Sequence, residues 1–257
     1  MTKVRAKKHL GQHFLCDMEI ACRIAASLPP EASRHVLEVG PGTGVLTQFL
    51  LKNPKINLTA VELDGESVQY LRKYYPQLHV LETDFLKLDL TLLFPDKFAV
   101  IGNFPYNISS QIFFKILDYK NQIPCCVGMI QKEVAERLAE PPGSKTYGIL
   151  SVFLQAYYDI EYLFTVHENV FDPPPKVKSA VIRLTRNSRE QLACNEKLFS
   201  AVVKTAFNQR RKQMRNSLKQ LAGADNTILE LPVFALRPEQ LSVDDFISLT
   251  NLIEQGE

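Results

Sequence analysis

Val36-Leu37-Glu38-Val39-Gly40-Pro41-Gly42-Thr43-Gly44 decides how this chain folds. An apolar run of strand length meets three glycines, each separated from the next by one residue. Val45-Leu46-Thr47-Gln48-Phe49-Leu50 then reads as the start of a helix. Glycine at such a turn lets backbone approach a ligand with no Cβ in the way. The turn also delivers a helix N-terminus with unpaired N–H groups. It lies at the carboxyl end of a strand, where open α/β sheets bind their ligands. The spacing G-x-G-x-G is not the G-x-G-x-x-G with which dinucleotide folds hold a pyrophosphate.

Further short apolar runs follow at Leu58–Glu62, His79–Glu82, Phe98–Asn103, Cys126–Ile130, Ile160–Val166 and Ala180–Leu184. The first five runs recur at intervals of about twenty residues, room for a strand, a loop and a crossover helix, so βαβ units and a mainly parallel sheet are expected. Near-continuous Val, Leu and Ile suits strands covered on both faces. Asp172-Pro173-Pro174-Pro175 separates the last two runs and cannot belong to a central strand. Those two runs are therefore expected as a terminal pair at one sheet edge, antiparallel in sense. After Arg189 the period changes. Leu198, Ala201, Val202, Thr205 and Ala206 fall at helical spacing, Met214, Leu218 and Leu221 continue it, Gly223 is a stop, and Asp244 to Ile253 reads as a last helix. The expected organisation is an α/β domain over 1–188 and a small helical domain over 189–257.

Net charge is only +2, so the body is no polycation, and its distribution is more telling. Lys3, Arg5, Lys7 and Lys8 open the chain with no carboxylate among them, and residues 197–224 carry Lys197, Lys204, Arg210, Arg211, Lys212, Arg215 and Lys219 with no Asp or Glu. Local basic patches on a near-neutral body suit a polyanion met on one face. The five cysteines form no C-x-x-C pair and no zinc spacing, so reduced thiols in the cytoplasm and no metal are expected. No apolar run reaches the roughly 18 residues of a membrane span, and no membrane partner is expected.

The strand ends carry the chemistry. Glu62 stands twenty-two residues after Gly40, at the end of the next strand, where a carboxylate can accept both hydroxyls of a ribose. Asp84 follows the third strand and can accept from an adenine amino group. The acidic rim suits S-adenosyl-L-methionine, which carries positive charge and no phosphate, better than a dinucleotide. The fourth strand runs into Asn103-Phe104-Pro105-Tyr106. An exocyclic adenine amine is a poor nucleophile, because its lone pair is delocalised into the ring. An Asn oxygen and a nearby carbonyl, that of Phe104 or Pro105, can accept its two hydrogens and hold the lone pair on target. Pro105 stiffens the turn, and Tyr106 offers a face for the base, worth about 1–3 kcal/mol.

Together these residues resemble the ribosomal RNA small-subunit adenine N6-dimethyltransferases, the kasugamycin-resistance family. The resemblance spans Lys8-His9-Leu10-Gly11-Gln12-His13-Phe14-Leu15, Glu38 to Gly44, Glu62, Asp84 and Asn103 to Tyr106. It continues through Phe171 to Val177, Ser179-Ala180-Val181, Ala206 to Lys212, Asn216 and Leu218. It implies a Rossmann-like seven-stranded class I methyltransferase domain, α/β in class, followed by a small C-terminal helical domain that binds RNA. It implies S-adenosylmethionine-dependent dimethylation of two adjacent adenines in the 3′-terminal hairpin of small-subunit (16S) ribosomal RNA, late in biogenesis. The partner implied is the assembling 30S subunit, and a monomer is the expected state. His13, Leu15, Gly40, Glu62, Asp84 and Asn103 would line the cofactor. Asn103, Pro105 and Tyr106 would hold the target adenine, with Phe171 as the second wall of the slot. Arg210, Arg211, Lys212 and Arg215, on a helix, would clamp phosphates, as would Lys3 to Lys8. Many relatives carry Asn at the place of His13 and Leu at that of Phe104. A large-subunit adenine methyltransferase of the macrolide-resistance type and a non-catalytic assembly factor remain as alternatives, with an NAD-linked oxidoreductase behind them.

Overall fold

The computed structural model describes residues 4–223 and 227–255. These divide into two compact units, the first running up to Ala135 and resuming over Asp159–Arg186, the second made of Glu136–Tyr158 and the chain from Asn187 onward. The expected boundary between residues 188 and 189 falls close to the third crossing, between Arg186 and Asn187. It overlooks that 136–158 leaves the sheet unit and packs with the C-terminal helices.

The strands are β1 (Phe14–Leu15), β2 (His35–Val39), β3 (Asn57–Glu62), β4 (His79–Glu82), β5 (Phe98–Asn103), β6 (Cys125–Gln131), β7 (Tyr158–Val166), β8 (Phe171–Asp172) and β9 (Ser179–Arg186). Seven of them form one sheet in the order β4-β3-β2-β5-β6-β9-β7, and β1 pairs with β8 separately. The pairs among β2 to β6 are parallel. β9 runs antiparallel to β6, from Cys125 opposite Thr185 to Gln131 opposite Ser179. Each of the seven apolar runs is a strand, and the last two do sit together at one edge. The central strands are buried along their length, which is why they read as unbroken Val, Ile and Leu rather than alternating. The chain goes from β2 outward to β3 and β4, then returns to start β5 on the other side. That reversal opens a crevice at the carboxyl ends of the strands.

Helices of the first unit are α1 (Met18–Ala26), α2 (Thr47–Leu50), α3 (Gly65–Tyr74), α4 (Leu90–Leu93) and α5 (Ser109–Asp118); α6 (Lys132–Ala139) leads out of it. Asp17 caps α1 by accepting from the Glu19 and Ile20 amides, and Asp64 caps α3 through Glu66, each satisfying donors that the first helical turn leaves open. The second unit contains α7 (Ile149–Gln155), α8 (Glu196–Asn208), α9 (Met214–Ser217) and α10 (Val243–Gln255). Asn195 caps α8. Its buried face, Phe199, Val202, Val203, Ala206 and Phe207, meets α10, with Phe207 and Phe246 stacked at 6.0 Å. The helical pattern expected through Leu221 breaks sooner: α9 has four residues, and Leu218 to Ala222 form a turn. No helix among the described residues is long and apolar enough to cross a membrane.

Candidate active site

The glycine turn after β2 is held in a backbone conformation that side chains resist. Gly40, Gly42 and Gly44 have φ of +68°, +57° and +82°, the left-handed region that glycine enters without cost. Space enforces the same choice: a Cβ on Gly44 would stand 2.5 Å from the Tyr75 ring, and one on Gly42 2.9 Å from Phe14. The Gly40 N–H donates to the Val61 carbonyl at 2.9 Å, tying the turn to β3. Glu62, at the end of β3 and only 6% exposed, completes the bracket. One oxygen accepts the Gly42 N–H and the other the Asp64 N–H, both at 2.9 Å. Burial pushes its pKa up, while the Asp64 and Gly42 amides pull the other way. Each oxygen keeps a further lone pair for a ligand. Asp84 follows β4 and uses Oδ1 to accept the Leu86 N–H at 2.9 Å, which fixes the carboxylate at the rim. Behind the turn, Glu38 is fully buried and accepts the Thr47 hydroxyl at 2.7 Å, joining β2 to α2.

The end of β5 supplies the other half. The Asn103 side-chain NH2 donates to the His13 carbonyl at 3.0 Å. A carbonyl can only accept, so this contact settles which end of the amide is which and leaves Oδ1 as the acceptor. The Phe104 N–H donates to the Met129 carbonyl at 3.0 Å. Its ring is 1% exposed and meets Phe113 edge-to-face at 5.9 Å. It lies against Gly102 and Gly128, where a Cβ on Gly128 would stand 2.6 Å from it. The Phe104 ring is thus spent on packing. Pro105 has φ −56°, and its carbonyl accepts the Ile108 N–H at 3.2 Å. The Tyr106 hydroxyl bonds the Ser179 hydroxyl at the start of β9, and burial raises its pKa against that bond. The Tyr106 ring stacks with His13 at 5.4 Å and 29°. His13 in turn gives Nδ1–H to the Pro173 carbonyl at 2.8 Å.

The N-terminal segment reaches this site because it is pinned. β1 pairs Phe14 with Asp172 and Leu15 with Phe171, and the Cys16 N–H bonds the Val170 carbonyl at 2.8 Å. One cavity of about 180 Å³ results, lined by His13, Leu15, Gly40, Glu62, Asp84, Asn103, Pro105 and Tyr106 among others, with no Lys or Arg among its lining residues. Eight of the expected site residues therefore share a single space. Phe171 does not join them. It is 4% exposed and packs in the core with Leu15, Ile24 and Val166, because its pairing with Leu15 turns it inward.

The basic residues differ from expectation. Arg210, Arg211 and Lys212 lie in the turn after α8, which ends at Asn208, and not on a helix; Arg215 is in α9. Arg210 is committed to the Lys145 carbonyl and, at 3.8 Å, to Glu239, so it braces its own unit. Arg211 and Lys212 are exposed. Lys7 is committed too, to Asp64 and, at 3.2 Å, to Glu66, and the Asp64 bond holds its ammonium above the ordinary lysine value. Lys3 lies outside the described residues. Sequence reasoning missed Ser179 and the His13 and Pro173 carbonyls. Ser179 stood inside a quoted motif without a role, and a backbone carbonyl has no residue-type signature at all.

Residues 3–255 match the family described as ribosomal RNA adenine dimethylase. The ribosomal RNA small subunit methyltransferase A of Parabacteroides distasonis is 65% identical over 99% of this chain and 96% of its own length. That of Cytophaga hutchinsonii is 60% identical over 98% of this chain and 99% of its own. Among solved structures, a dimethyladenosine transferase from Plasmodium falciparum superposes with a TM-score of 0.82 at 25% identity, covering 95% of this chain and 98% of that one. The 23S rRNA methyltransferase ErmE gives 0.69 at 27% identity, over 93% and 99%.

Proposed function

The chain belongs to the ribosomal RNA adenine dimethylase family, and on that premise we propose that it transfers methyl groups from S-adenosylmethionine to N6 of two adjacent adenines in the 3′-terminal hairpin of small-subunit ribosomal RNA. The residues present suit that donor. The cavity offers Glu62 and Asp84 and lacks Lys and Arg in its lining, which fits a cation without phosphates. When bound, the donor supplies a methyl carbon made electrophilic by a positively charged sulfur. Glu62 would accept the ribose hydroxyls with the lone pairs its backbone donors leave free. Asp84 would accept from the adenine amine, and the backbone at Gly40 and Gly42 would allow close approach. Leu15 and His13 would close the pocket from the N-terminal side.

The single observation that carries the reading is the Asn103 amide, turned by the His13 carbonyl so that Oδ1 is left to accept, in the same cavity as Tyr106 and Glu62. The target adenine must leave its stack to reach it. Oδ1 and a carbonyl of the turn, that of Phe104 or Pro105, then accept the two N6 hydrogens. Tyr106, fixed by Ser179 and His13, supports the ring. Held in line, the nitrogen attacks without a strong base, since positioning and local electrostatics carry the step, and the proton left on N6 passes to water. The exposed Arg211 and Lys212 would meet RNA phosphates from the second unit. Action on the assembling 30S subunit, as a monomer in the cytoplasm, completes the proposal. The test is labelled methyl transfer to RNA by the wild type and Asn103→Ala, with a loss of about a hundredfold or more expected. Equal rates would overturn the assignment, and mapping methylated adenines in both ribosomal RNAs separates the small-subunit from the large-subunit target.

A further inference from the structure

Residues 173–179 read Pro-Pro-Pro-Lys-Val-Lys-Ser. Both ends of this stretch are fastened to the aromatic pair at the base slot. The Pro173 carbonyl takes the His13 Nδ1–H, and the Ser179 hydroxyl bonds that of Tyr106. A third tie is the Lys178 carbonyl, which accepts the Lys132 N–H at 2.9 Å. Three successive prolines restrict φ and leave little chain entropy to lose, and Pro175 is buried. Between the fastenings, Lys176, Val177 and Lys178 stand exposed. Neither lysine side chain has an ion pair or hydrogen bond among the described residues. Lys176 is three residues from each end of the stretch, so its Cα lies within about 10 Å of an anchored residue at about 3.5 Å per residue; Lys178 adjoins Ser179.

Two unpaired cations on a stiff loop hung from the base slot have no use inside the protein. They do not line the cavity, and the proposed methyl donor has no phosphate for them to bind. A polynucleotide strand that delivers one flipped base to Tyr106 must carry its flanking phosphates past this rim. The geometry points to residues 173–178 as a phosphate clamp, in which Lys176 and Lys178 bind the phosphodiester groups next to the adenine held on Tyr106. The inference rests on the proposed function and deepens it, since it names the surface that holds the strand while the base is out of its stack. Because the prolines order the loop beforehand, little binding energy goes into arranging it.

The test uses a synthetic RNA hairpin with two adjacent unpaired adenines, titrated by fluorescence anisotropy at several salt concentrations. In K176A/K178A the slope of log affinity against log salt should shrink by about 1.4–1.8, two phosphates at about 0.7–0.9 each, and affinity near 0.1 M salt should fall about tenfold or more. Binding of S-adenosylhomocysteine should be unchanged, and K176R/K178R should restore RNA affinity. An unchanged slope and affinity in K176A/K178A would overturn the clamp, as would an arginine pair that fails to restore binding, which would mean that loop shape and not charge matters. A wild type that neither binds nor methylates the hairpin would overturn the proposed function itself, a different result from an active wild type with an indifferent lysine pair.

Discussion

Replacing Glu38 by glutamine should flatten the dependence of stability on pH. Glu38 is 0% exposed, its Oε2 accepts the Thr47 hydroxyl, and its Oε1 has no hydrogen-bond partner among the described residues. Burial, opposed by the Thr47 bond and reinforced by Glu62, pushes its pKa up to about 8 from an ordinary 4.5. The folded chain keeps this proton up to about pH 8, whereas the unfolded chain releases it near 4.5. Between those values the folded state binds more protons, so stability falls as pH rises and levels off above the folded pKa. The full loss is on the order of 5 kcal/mol, of which roughly half falls between about pH 5.5 and about pH 7.5. Glutamine has nearly the same shape, keeps an oxygen for Thr47 and cannot ionise. The chain has no tryptophan, so urea unfolding is best followed by far-UV circular dichroism at the two pH values. Wild type should lose about 2–3 kcal/mol more than Glu38→Gln over that interval. Parallel losses in the two proteins would refute the reasoning, because Glu38 would then be ionised in the folded state or exposed to water.

Three further expectations concern the site and its supports. Ser179→Ala strands the half-buried Tyr106 hydroxyl at a cost of about 1–3 kcal/mol and should raise the KM for RNA more than it weakens cofactor binding. Adding Tyr106→Phe should return most of that stability, and a double-mutant cycle with no coupling would deny the contact. Gly128→Ala drives a methyl group into the Phe104 ring, which should cost about 1–3 kcal/mol and slow methyl transfer by shifting the turn at Asn103. Phe104→Leu in the same protein should relieve both defects, and a melting temperature that stays low would show the clash lies elsewhere. Arg210→Ala should lower the melting temperature of the second unit by removing its hold on Lys145 and Glu239. Arg211→Ala with Lys212→Ala should spare the melting temperature and cut the salt dependence of RNA binding by about 1.4–1.8 in slope; the reverse pattern would invert the two assignments.

The parts that could be read in advance are those that local pattern encodes. Strand after strand was legible because a doubly covered strand must be apolar along its whole length, and the crossover helices set the interval between them. Glu62, Asp84 and Asn103 could be placed because each ends or directly follows a strand, and parallel strands bring their carboxyl ends to one rim. The four-residue α9 and the turn carrying Arg210 were misjudged, since apolar spacing continues past Met214 although the backbone does not stay helical. The assignment of 136–158 to the second unit was equally hidden: its helices carry no mark of which neighbour they will cover.

By itself, the order of residues determined a mainly parallel sheet, a glycine-rich turn after its first strand, and acids and an asparagine at neighbouring strand ends. Only the folded chain decided that a histidine carbonyl turns the Asn103 amide, that Ser179 steadies Tyr106, that Phe171 belongs to the core and that Arg210 and Lys7 are already bound. The physical reason is the same in each case. Periodicity and residue type record the backbone path, whereas a hydrogen bond between groups 73 or 90 positions apart exists only once that path has closed and a particular donor meets a particular acceptor.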